Sequence, residues 1–411
     1  MLERQRTEQT YRCELWRAGA AGILESAGTT FLLLIAVRWF AAGSTAKGLL
    51  AAGGSVGLLV SPLVVSVVTA RGYRVGRAGA AILTFGGVCF CVAALFPFLP
   101  VFVAGSMLGM AASSAIIPLL TQMYQENYPE EERGRRFSRT VMIRIAMAAG
   151  FSHLAGSVLS GHIGYFRVLL LIFGISLFFA NACLARCPTR PIEADGSSHP
   201  LRALRFVRED VLFRRTLICW MLMGFANLMM LPLRVEYLAN PKYGLQLSIQ
   251  AIAFLTGVVP NLARLAMSPV WGYLFDRMNF FALRVTLNIG FAVGILAFFM
   301  SGSYSGMIAG AIVFGISNAG GDVAWSLWVT KFAPPNRVAD YMSVHTALTG
   351  FRGVLAPLVA FYVTGVLPHS LGSLACISAG LILLATLVLV PELKTGRRAA
   401  PASALVEEVT E

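Results

Sequence analysis

The chain has 411 residues, of which 57% are hydrophobic and only 13% are charged. A soluble domain carries about 25% charged residues, so a water-soluble core cannot account for this many apolar side chains. The net charge of +13 would suit a nucleic-acid-binding protein. However, the basic residues lie in alternate connections between apolar stretches, and not on one face of a soluble domain. Composition therefore indicates a protein embedded in a lipid bilayer, without nucleic acid as a partner.

Twelve apolar stretches are long enough to cross a bilayer, which takes about 20 residues of helix. In the first half of the chain they are residues 18–39, 47–70, 77–97, 99–124, 138–161 and 165–186. In the second half they are residues 215–238, 247–271, 282–301, 304–331, 341–366 and 369–390. The sequence therefore predicts an all-α membrane protein with twelve transmembrane helices.

The distribution of arginine and lysine predicts the orientation of these spans. The connections that follow the even-numbered spans and both termini are rich in arginine, whereas residues 96–100, 301–304 and 367–369 contain neither arginine nor lysine. Lys47, Arg167 and Lys242 are the exceptions. By the positive-inside rule the basic connections face the cytoplasm. We expect a multi-pass protein of the plasma (inner) membrane with both termini in the cytoplasm.

A repeat relates the two halves of the chain. The run from Ser61 to Arg77 recurs, with the same length and the same Ser-Pro start, as the run from Ser268 to Arg284. Both runs form short basic connections between apolar stretches. A parallel repeat of about half a chain in an apolar protein indicates two similar helix bundles that face each other. The twelve helices are therefore predicted to form two pseudo-symmetric six-helix bundles.

The longest connection separates the two predicted bundles. We predict an N-terminal bundle over 1–186, a cytoplasmic linker over 187–214, a C-terminal bundle over 215–391 and a cytoplasmic tail over 392–411. Within the linker, apolar residues recur at helical spacing among arginines, which predicts an amphipathic helix on the inner leaflet. The apolar residues are Leu201, Leu204, Val207 and Val211.

Six plus six predicted helices, a parallel repeat and a long central connection resemble the major facilitator superfamily. The most specific local sign runs from Gly272 to Asn279, and it is similar to the family's loop motif of Gly, three residues, Asp, Arg or Lys, one residue and Gly. Asp276 and Arg277 match the charged pair of that motif. Asn279 stands where Gly is usual, and both residues tolerate a positive φ. The resemblance implies that Gly272, Asp276 and Arg277 form a latch that holds one conformation.

The resemblance is incomplete in three places. In the fourth span, Gly105 stands where the family often has Arg. In the first half, Thr69 stands where the acidic residue of the loop motif would be. The fifth span lacks the Gly-Pro of the family's antiporter motif, so the resemblance neither supports nor excludes antiport.

Ionisable side chains within the predicted spans mark candidate functional positions, because each costs at least about 2.5–3.5 kcal/mol in a membrane. The resemblance implies that the helices carrying them can face a central cavity. Asn318 and Trp325 share a helix face with Asp322, so they join the candidates. The ionisable candidates are Glu25, Arg144, His153, Arg264, Asp322, His345 and Arg352.

Two interpretations of these charges stay open. In the first, Glu25 or Asp322 carries a proton, and Arg144, Arg264 or Arg352 attracts an anionic group or pairs with the carboxylate in one state. In the second, the same groups form a buried ion-pair network that fixes helix packing. A pairing of Asp322 with Arg352 is compatible with both interpretations.

The resemblance implies a secondary transporter that moves a small organic solute by alternating access, coupled to protons. The intramembrane arginines favour an anionic or zwitterionic solute, whereas the aromatic and Met content favours a drug-like amphiphile and hence a drug-type efflux pump. A non-transporting sensor or scaffold on the same fold is an alternative, because fold alone does not decide function.

No enzyme, cofactor or metal is expected from the sequence. The chain contains neither HExxH nor GxSxG, and the seven cysteines show no metal-binding spacing. We expect a monomer. The sequence identifies neither the solute nor the direction of transport.

Overall fold

The computed structural model describes residues 2–191, 205–245, 247–331, 338–367 and 371–395. Within these ranges, 12 helices are long and apolar enough to cross a membrane, as predicted. The first six are α1 (Leu2–Ser26, Ala27–Phe31 and Leu32–Arg38), α2 (Ser44–Ala70), α3 (Val75–Leu95), α4 (Leu99–Ala115 and Ile117–Asn127), α5 (Glu130–Gly161) and α6 (Phe166–Ala185). The second six are α7 (Val211–Ala239), α8 (Ile249–Ala253, Phe254–Val258 and Val259–Arg277), α9 (Phe280–Met300), α10 (Tyr304–Leu327), α11 (Val338–Val366) and α12 (Leu371–Leu389).

The two halves repeat the same helix packing. In the first half, α1 contacts α5 and α6, α2 contacts α4, and α3 contacts α4 and α6. In the second half every partner lies six helices later: α7 contacts α11 and α12, α8 contacts α10, and α9 contacts α10 and α12. Between the halves, α2 packs along α11, α5 along α8, and α1 against α7. The helices therefore form two pseudo-symmetric six-helix bundles, as the repeat predicts.

The helix ends define two sides of the molecule. We call the ends at residues 71–74, 128–129, 186–191, 205–210 and 278–279 the arginine-rich side, and the ends at residues 39–43, 96–98, 240–245, 247–248 and 301–303 the arginine-poor side. From the arginine-poor side inward, α2 and α11 meet through glycines. Gly48 lies against Leu358, and Gly353 lies against Ser55. Small residues at these positions let the two backbones approach closely.

The first helix begins at Leu2, well before the predicted start of the span at residue 18. Hydrogen bonds within the helix and to α4 stabilise the polar turns that precede the apolar span. Thr7 Oγ1 donates to the Asn127 carbonyl at 2.8 Å, and Arg17 Nε donates to Glu14 Oε1 at 2.7 Å. Because these partners come from the same helix and from α4, hydropathy marks only the apolar part of a longer helix.

Two helices at the bundle interface contain a π turn. Residues Ala27–Phe31 of α1 and Phe254–Val258 of α8 have this wider helical geometry. The side chains of Thr30 and Thr256 meet there, with their Oγ1 atoms 3.0 Å apart. Single π turns inside α-helices are frequent at functional sites.

The predicted linker helix falls partly outside the described residues. Leu201 and Leu204 lie in the undescribed range 192–204, whereas Arg205–Glu209 is a short helix. The buried ring of Phe206 in that helix is stacked on Tyr341 of α11, with ring centroids 5.0 Å apart. The boundaries of linker and tail therefore remain predictions.

Candidate functional site

Four of the charged candidates come together where α1, α5, α8 and α10 meet. Arg144 Nε lies 3.0 Å from Glu25 Oε2. The other carboxylate oxygen of Glu25 accepts a hydrogen bond from Arg264 Nη1. Arg264 Nε in turn donates to Asp322 Oδ2 at 2.6 Å. We call this series Arg144–Glu25–Arg264–Asp322 the ion-pair chain; its two positive and two negative charges alternate and balance.

The ion-pair chain connects the two bundles. Glu25 and Arg144 belong to the first bundle and Arg264 and Asp322 to the second, so the Glu25–Arg264 contact crosses the interface. The Arg264 side chain is only 6% exposed, whereas the side chains of Asp322 and Arg144 are 35% and 36% exposed. The Glu25–Arg264 contact between the bundles is therefore shielded, whereas both ends of the ion-pair chain, Arg144 and Asp322, are partly exposed.

Neighbouring groups hold the ion-pair chain in place. Asn261 Oδ1 lies 3.4 Å from Arg264 Nη1, and the Thr29 hydroxyl donates to the Glu25 main-chain carbonyl at 2.9 Å.

One helical turn from Glu25, a cavity of about 40 Å³ lies between the bundles and is lined by apolar side chains such as Leu228. A single water takes up about 30 Å³ of liquid, so an organic solute does not fit this cavity in the conformation seen here.

The remaining candidates of the second bundle are not part of the ion-pair chain. Asn318 is half-buried on α10. The Trp325 ring centroid lies 5.6 Å from that of His345. Arg352 Nη1 donates to the main-chain carbonyl of Trp220. The structure thus pairs Asp322 with Arg264 and places Arg352 in a different part of the C-terminal bundle.

The loop that carries the predicted latch lies at the arginine-rich end of α8. Gly272 and Arg277 are in the helix, and the side chain of Asp276 lies outside the described part of the chain. Arg277 Nη1 donates to the Tyr273 hydroxyl, and its guanidinium lies 4.2 Å from the centre of that ring. The latch therefore stays a prediction.

Asn279 does not use the positive φ that its position in the motif suggested. Its φ is −56°, and its Oδ1 accepts from the Phe281 amide at 2.8 Å. Asparagine is favoured here because its side chain caps the first turn of α9, where the amide groups have no helical partner.

Sequence reasoning missed a second ionic contact between the bundles. Lys47 Nζ of α2 donates to Glu236 Oε1 of α7 at 2.7 Å, and the two side chains are 8% and 0% exposed. Asn240 Nδ2 donates to the same oxygen at 2.8 Å, and Lys242 Nζ lies 3.6 Å away. We call Lys47 and Glu236 the outer ion pair. The sequence did contain a signal for this contact. Lys47 and Lys242 are exceptions to the arginine-poor character of their side, and Glu236 lies near the same side.

Burial modifies the pKa of Lys242, the second cation near Glu236. Desolvation lowers the pKa of Lys242, although the Glu236 carboxylate opposes this change. Lys47 is nearer to Glu236 and less exposed than Lys242, whose side chain is 31% exposed. Lys47 is therefore the main partner of Glu236.

Two further arginines are buried where the sequence suggested exposure. Arg284, expected in a basic connection, lies inside α9 and is 1% exposed. Arg234 lies near the end of α7, where the head of an arginine usually extends into water, yet it is 2% exposed, and its guanidinium lies 3.4 Å from the centre of the Phe314 ring. Hydropathy windows locate a helix end only to within a few residues, which explains both differences.

The contacts between the bundles close the arginine-poor side. Among the described residues, every hydrogen bond or ion pair between the bundles lies at the level of Glu25 or nearer the arginine-poor side. The contacts are Glu25–Arg264, Thr30–Thr256, Arg38–Leu247 and Lys47–Glu236. The polar contacts between the bundles are therefore concentrated in the half of the interface nearer the arginine-poor side.

Comparisons with known proteins agree with this architecture. The nucleoside transporter NupG, in a variant form, is similar over 94% of this chain and 99% of its own, with 15% identity and a TM-score of 0.73. The human organic anion transporter MFSD10 (TETRAN) is similar over 94% and 99%, with 17% identity and a TM-score of 0.64. A D-xylose-proton symporter is similar over 95% and 96%, with 16% identity and a TM-score of 0.63.

At these identities the structural similarities establish the fold. No curated protein matches the chain in sequence. The family model "Major Facilitator Superfamily" matches residues 18–357, which is most of the chain. With twelve apolar helices in two matched bundles, the chain is a multi-pass membrane protein and belongs to the Major Facilitator Superfamily of transporters.

Proposed function

We propose that the protein is a proton-coupled secondary transporter that moves a small organic solute across the plasma membrane by alternating access. The observation that carries the proposal is the ion-pair chain. It contains ionisable groups from both bundles, it crosses their interface, and its two ends are open. Charged groups inside a membrane are expensive, and they mark ion and substrate pathways.

Arg264 is the group whose partners would change during transport. It contacts one carboxylate in each bundle, Glu25 and Asp322. Asp322 is accessible from open space, so a proton can reach it and remove its negative charge. Arg264 is then left with Glu25 alone, and the balance between contacts within the second bundle and contacts across the interface changes.

The energies involved are comparable in size to those of a conformational change. Two charges about 4 Å apart interact with about 4 kcal/mol at an effective dielectric constant of about 20. Shifting a two-state equilibrium from 1:99 to 99:1 takes about 5.5 kcal/mol. Gain or loss of one contact in the ion-pair chain therefore supplies much of the energy that separates two transporter states.

The solute that this site favours has an anionic group and an apolar part. The Arg144 side chain is 36% exposed and shares its only described carboxylate, Glu25, with Arg264. An anionic group of the solute would find a partner there. In a more open conformation, the apolar lining of the cavity next to Glu25 would suit the remainder of an amphiphile, including drug-type solutes. An organic anion transporter is among the similar structures, which supports this solute class, and a D-xylose-proton symporter among them supports coupling to protons.

The test begins with a ligand and then measures its transport. A thermal-shift screen of the purified protein against solute classes identifies a ligand, because a solute that binds the folded form raises its stability. Uptake of that solute into proteoliposomes is then measured with and without an imposed pH gradient. Asp322→Asn is expected to abolish proton-driven accumulation while solute exchange without a gradient continues.

A matched control separates coupling from loss of a carboxylate. Glu132 is 36% exposed and lies 2.7 Å from Arg136 on α5, outside the ion-pair chain. Glu132→Gln is expected to keep proton-driven accumulation. Accumulation by Asp322→Asn at the wild-type level would contradict the proposal. Wild-type protein that binds the solute but never moves it would favour the sensor or scaffold alternative.

A further inference from the structure

A second group of cations lies inside the C-terminal bundle, around Trp220 of α7. The Arg284 guanidinium lies 3.8 Å from the centre of the Trp220 ring, and Arg352 Nη1 donates to the Trp220 carbonyl. The His345 ring centroid is 5.4 Å from that of Trp220. We call Trp220, Arg284, His345 and Arg352 the Trp220 cluster. Its residues come from α7, α9 and α11, and none belongs to the ion-pair chain.

All four side chains of the Trp220 cluster are buried. Trp220 is 3% exposed, Arg284 1%, His345 0% and Arg352 7%. Several of their nitrogen atoms have no hydrogen-bond partner in the described part of the chain: Arg284 Nε and Nη1, Arg352 Nε, both ring nitrogens of His345, and Trp220 Nε1. Arg284 Nη2 has a neutral partner, Asn288 Oδ1, at 3.1 Å. Among the described residues, no carboxylate forms an ion pair with Arg284 or Arg352.

Two permanent cations without a counter-charge are strongly unfavourable in this environment. A guanidinium group keeps its proton in proteins, so neither arginine can become neutral. Burial removes the solvation of both charges, and the two like charges repel each other. The contacts of Arg284 with the Trp220 ring and with Asn288 compensate only part of this loss. The cluster therefore requires a negative charge that the described carboxylates do not provide.

We propose that the Trp220 cluster binds a small inorganic anion of the size of chloride. The unpartnered donors come from two arginines, an indole and an imidazole, all grouped around Trp220, and N–H donors suit a halide. The surrounding packing favours a small ion. Gly224 lies directly against the Arg352 guanidinium, and the Trp328 ring centroid is 5.2 Å from that of His345.

The bound anion would be a fixed part of the C-terminal bundle and not the transported solute. It neutralises charge within one bundle, whereas the ion-pair chain lies between the two. The inference therefore does not depend on the proposed transport function, and its test measures anion binding and stability without any transport assay.

Thermal unfolding of the purified wild-type protein, followed by circular dichroism, provides the first test. The protein is compared in chloride, bromide, acetate and gluconate salts at equal ionic strength. Chloride and bromide are expected to raise Tm in a saturable way relative to gluconate, because a ligand of the folded state stabilises it. Equal Tm values in all four salts, or stabilisation by acetate without stabilisation by halides, would overturn the proposal.

Variants locate the site. Arg284→Gln and Arg352→Gln are expected to lose the chloride-dependent rise in Tm. In gluconate they should unfold at or above the wild-type Tm, since one uncompensated charge has been removed. Arg234→Gln is the matched control, because it also removes a buried arginine, and it should retain the rise. A chloride-dependent rise of wild-type size in Arg284→Gln, or an equal loss of stability in chloride and gluconate, would overturn the assignment.

Direct binding keeps the proposal testable if a variant does not fold. Equilibrium dialysis with labelled chloride is expected to show one saturable site per chain in the wild type and in Arg234→Gln, and the absence of saturable binding to the wild type would overturn the proposal. Asp340 lies in the same helix as His345, and its side chain is outside the described part of the chain. If chloride stabilised Asp340→Asn but not the wild type, the counter-charge would be Asp340 and the proposal would fail.

Discussion

The ion-pair chain and the outer ion pair both join the two bundles, but they differ in their access to open space. Lys47 and Glu236 are almost completely shielded, at 8% and 0% exposure. In the ion-pair chain, the central Arg264 is 6% exposed and the terminal Asp322 is 35% exposed. In the proposed mechanism, the shielded pair stabilises one conformation until the bundles separate, whereas the open-ended ion-pair chain responds to protons and solutes. The two contacts would then have different roles.

The largest expected effect comes from the central arginine of the ion-pair chain. Removing one partner of a buried ion pair typically costs about 3–5 kcal/mol, because a charge is left without compensation. Arg264→Gln leaves Asp322 without its described partner and leaves Glu25 with Arg144 alone. We expect a decrease of about 4 kcal/mol in the free energy of unfolding, towards the middle of that range, measured by chemical denaturation in detergent.

The conservative substitution at the same position sharpens this prediction. Arg264→Lys keeps the charge, but a single ammonium group does not reproduce two guanidinium nitrogens that contact two different carboxylates. Its stability should therefore lie between those of the wild type and Arg264→Gln. Wild-type stability in Arg264→Gln would mean that the ion-pair chain does not hold the bundles together.

The outer ion pair is expected to have a smaller effect on stability and a larger effect on conformation. Lys47→Met leaves Glu236 buried, although Asn240 and Lys242 remain near its carboxylate. The cost should therefore be about 3 kcal/mol, the lower end of the range for a broken buried pair. This energy corresponds to about a 100-fold shift away from the state closed on the arginine-poor side.

Cysteine labelling measures this shift. Ser44 lies against Gly365 at the arginine-poor end of the α2–α11 seam. In a cysteine-free background, Ser44→Cys should react faster when Lys47→Met is present. The added change Glu236→Gln removes the uncompensated charge and should slow the reaction again. Identical rates in all three proteins would show that the outer ion pair does not control access.

Much of the fold could be predicted because its signals are local in sequence. Apolar stretches and arginine-rich connections are visible in short windows, and they predicted both the number of spans and the two bundles. The same locality explains why Glu25, Arg144, Arg264 and Asp322 were recognised as candidates, since an ionisable residue in an apolar stretch stands out on its own.

Pairings could not be predicted, because they depend on how each helix is rotated about its axis. Depth alone allowed Asp322 to meet Arg352, and only the packing of α8 against α10 places Arg264 beside Asp322. Lys47 and Glu236 are 189 residues apart, and nothing local connects them. The burial of Arg284 depends on where α9 begins, which hydropathy does not fix.

The smallest effect is expected at the exposed end of the ion-pair chain. Arg144 and Arg264 contact the same carboxylate, so Arg144→Gln and Arg264→Gln form a matched pair. The Arg144 side chain is 36% exposed, and ion pairs open to solvent contribute about 0–1 kcal/mol. Chemical denaturation should therefore show a loss below about 1 kcal/mol for Arg144→Gln. Solute affinity should fall more than stability does, because in the proposed mechanism Arg144 faces the solute. If Arg144→Gln were as unstable as Arg264→Gln, exposure would not distinguish the end of the ion-pair chain at Arg144 from its buried centre at Arg264. Arg144 would then be a structural partner of Glu25.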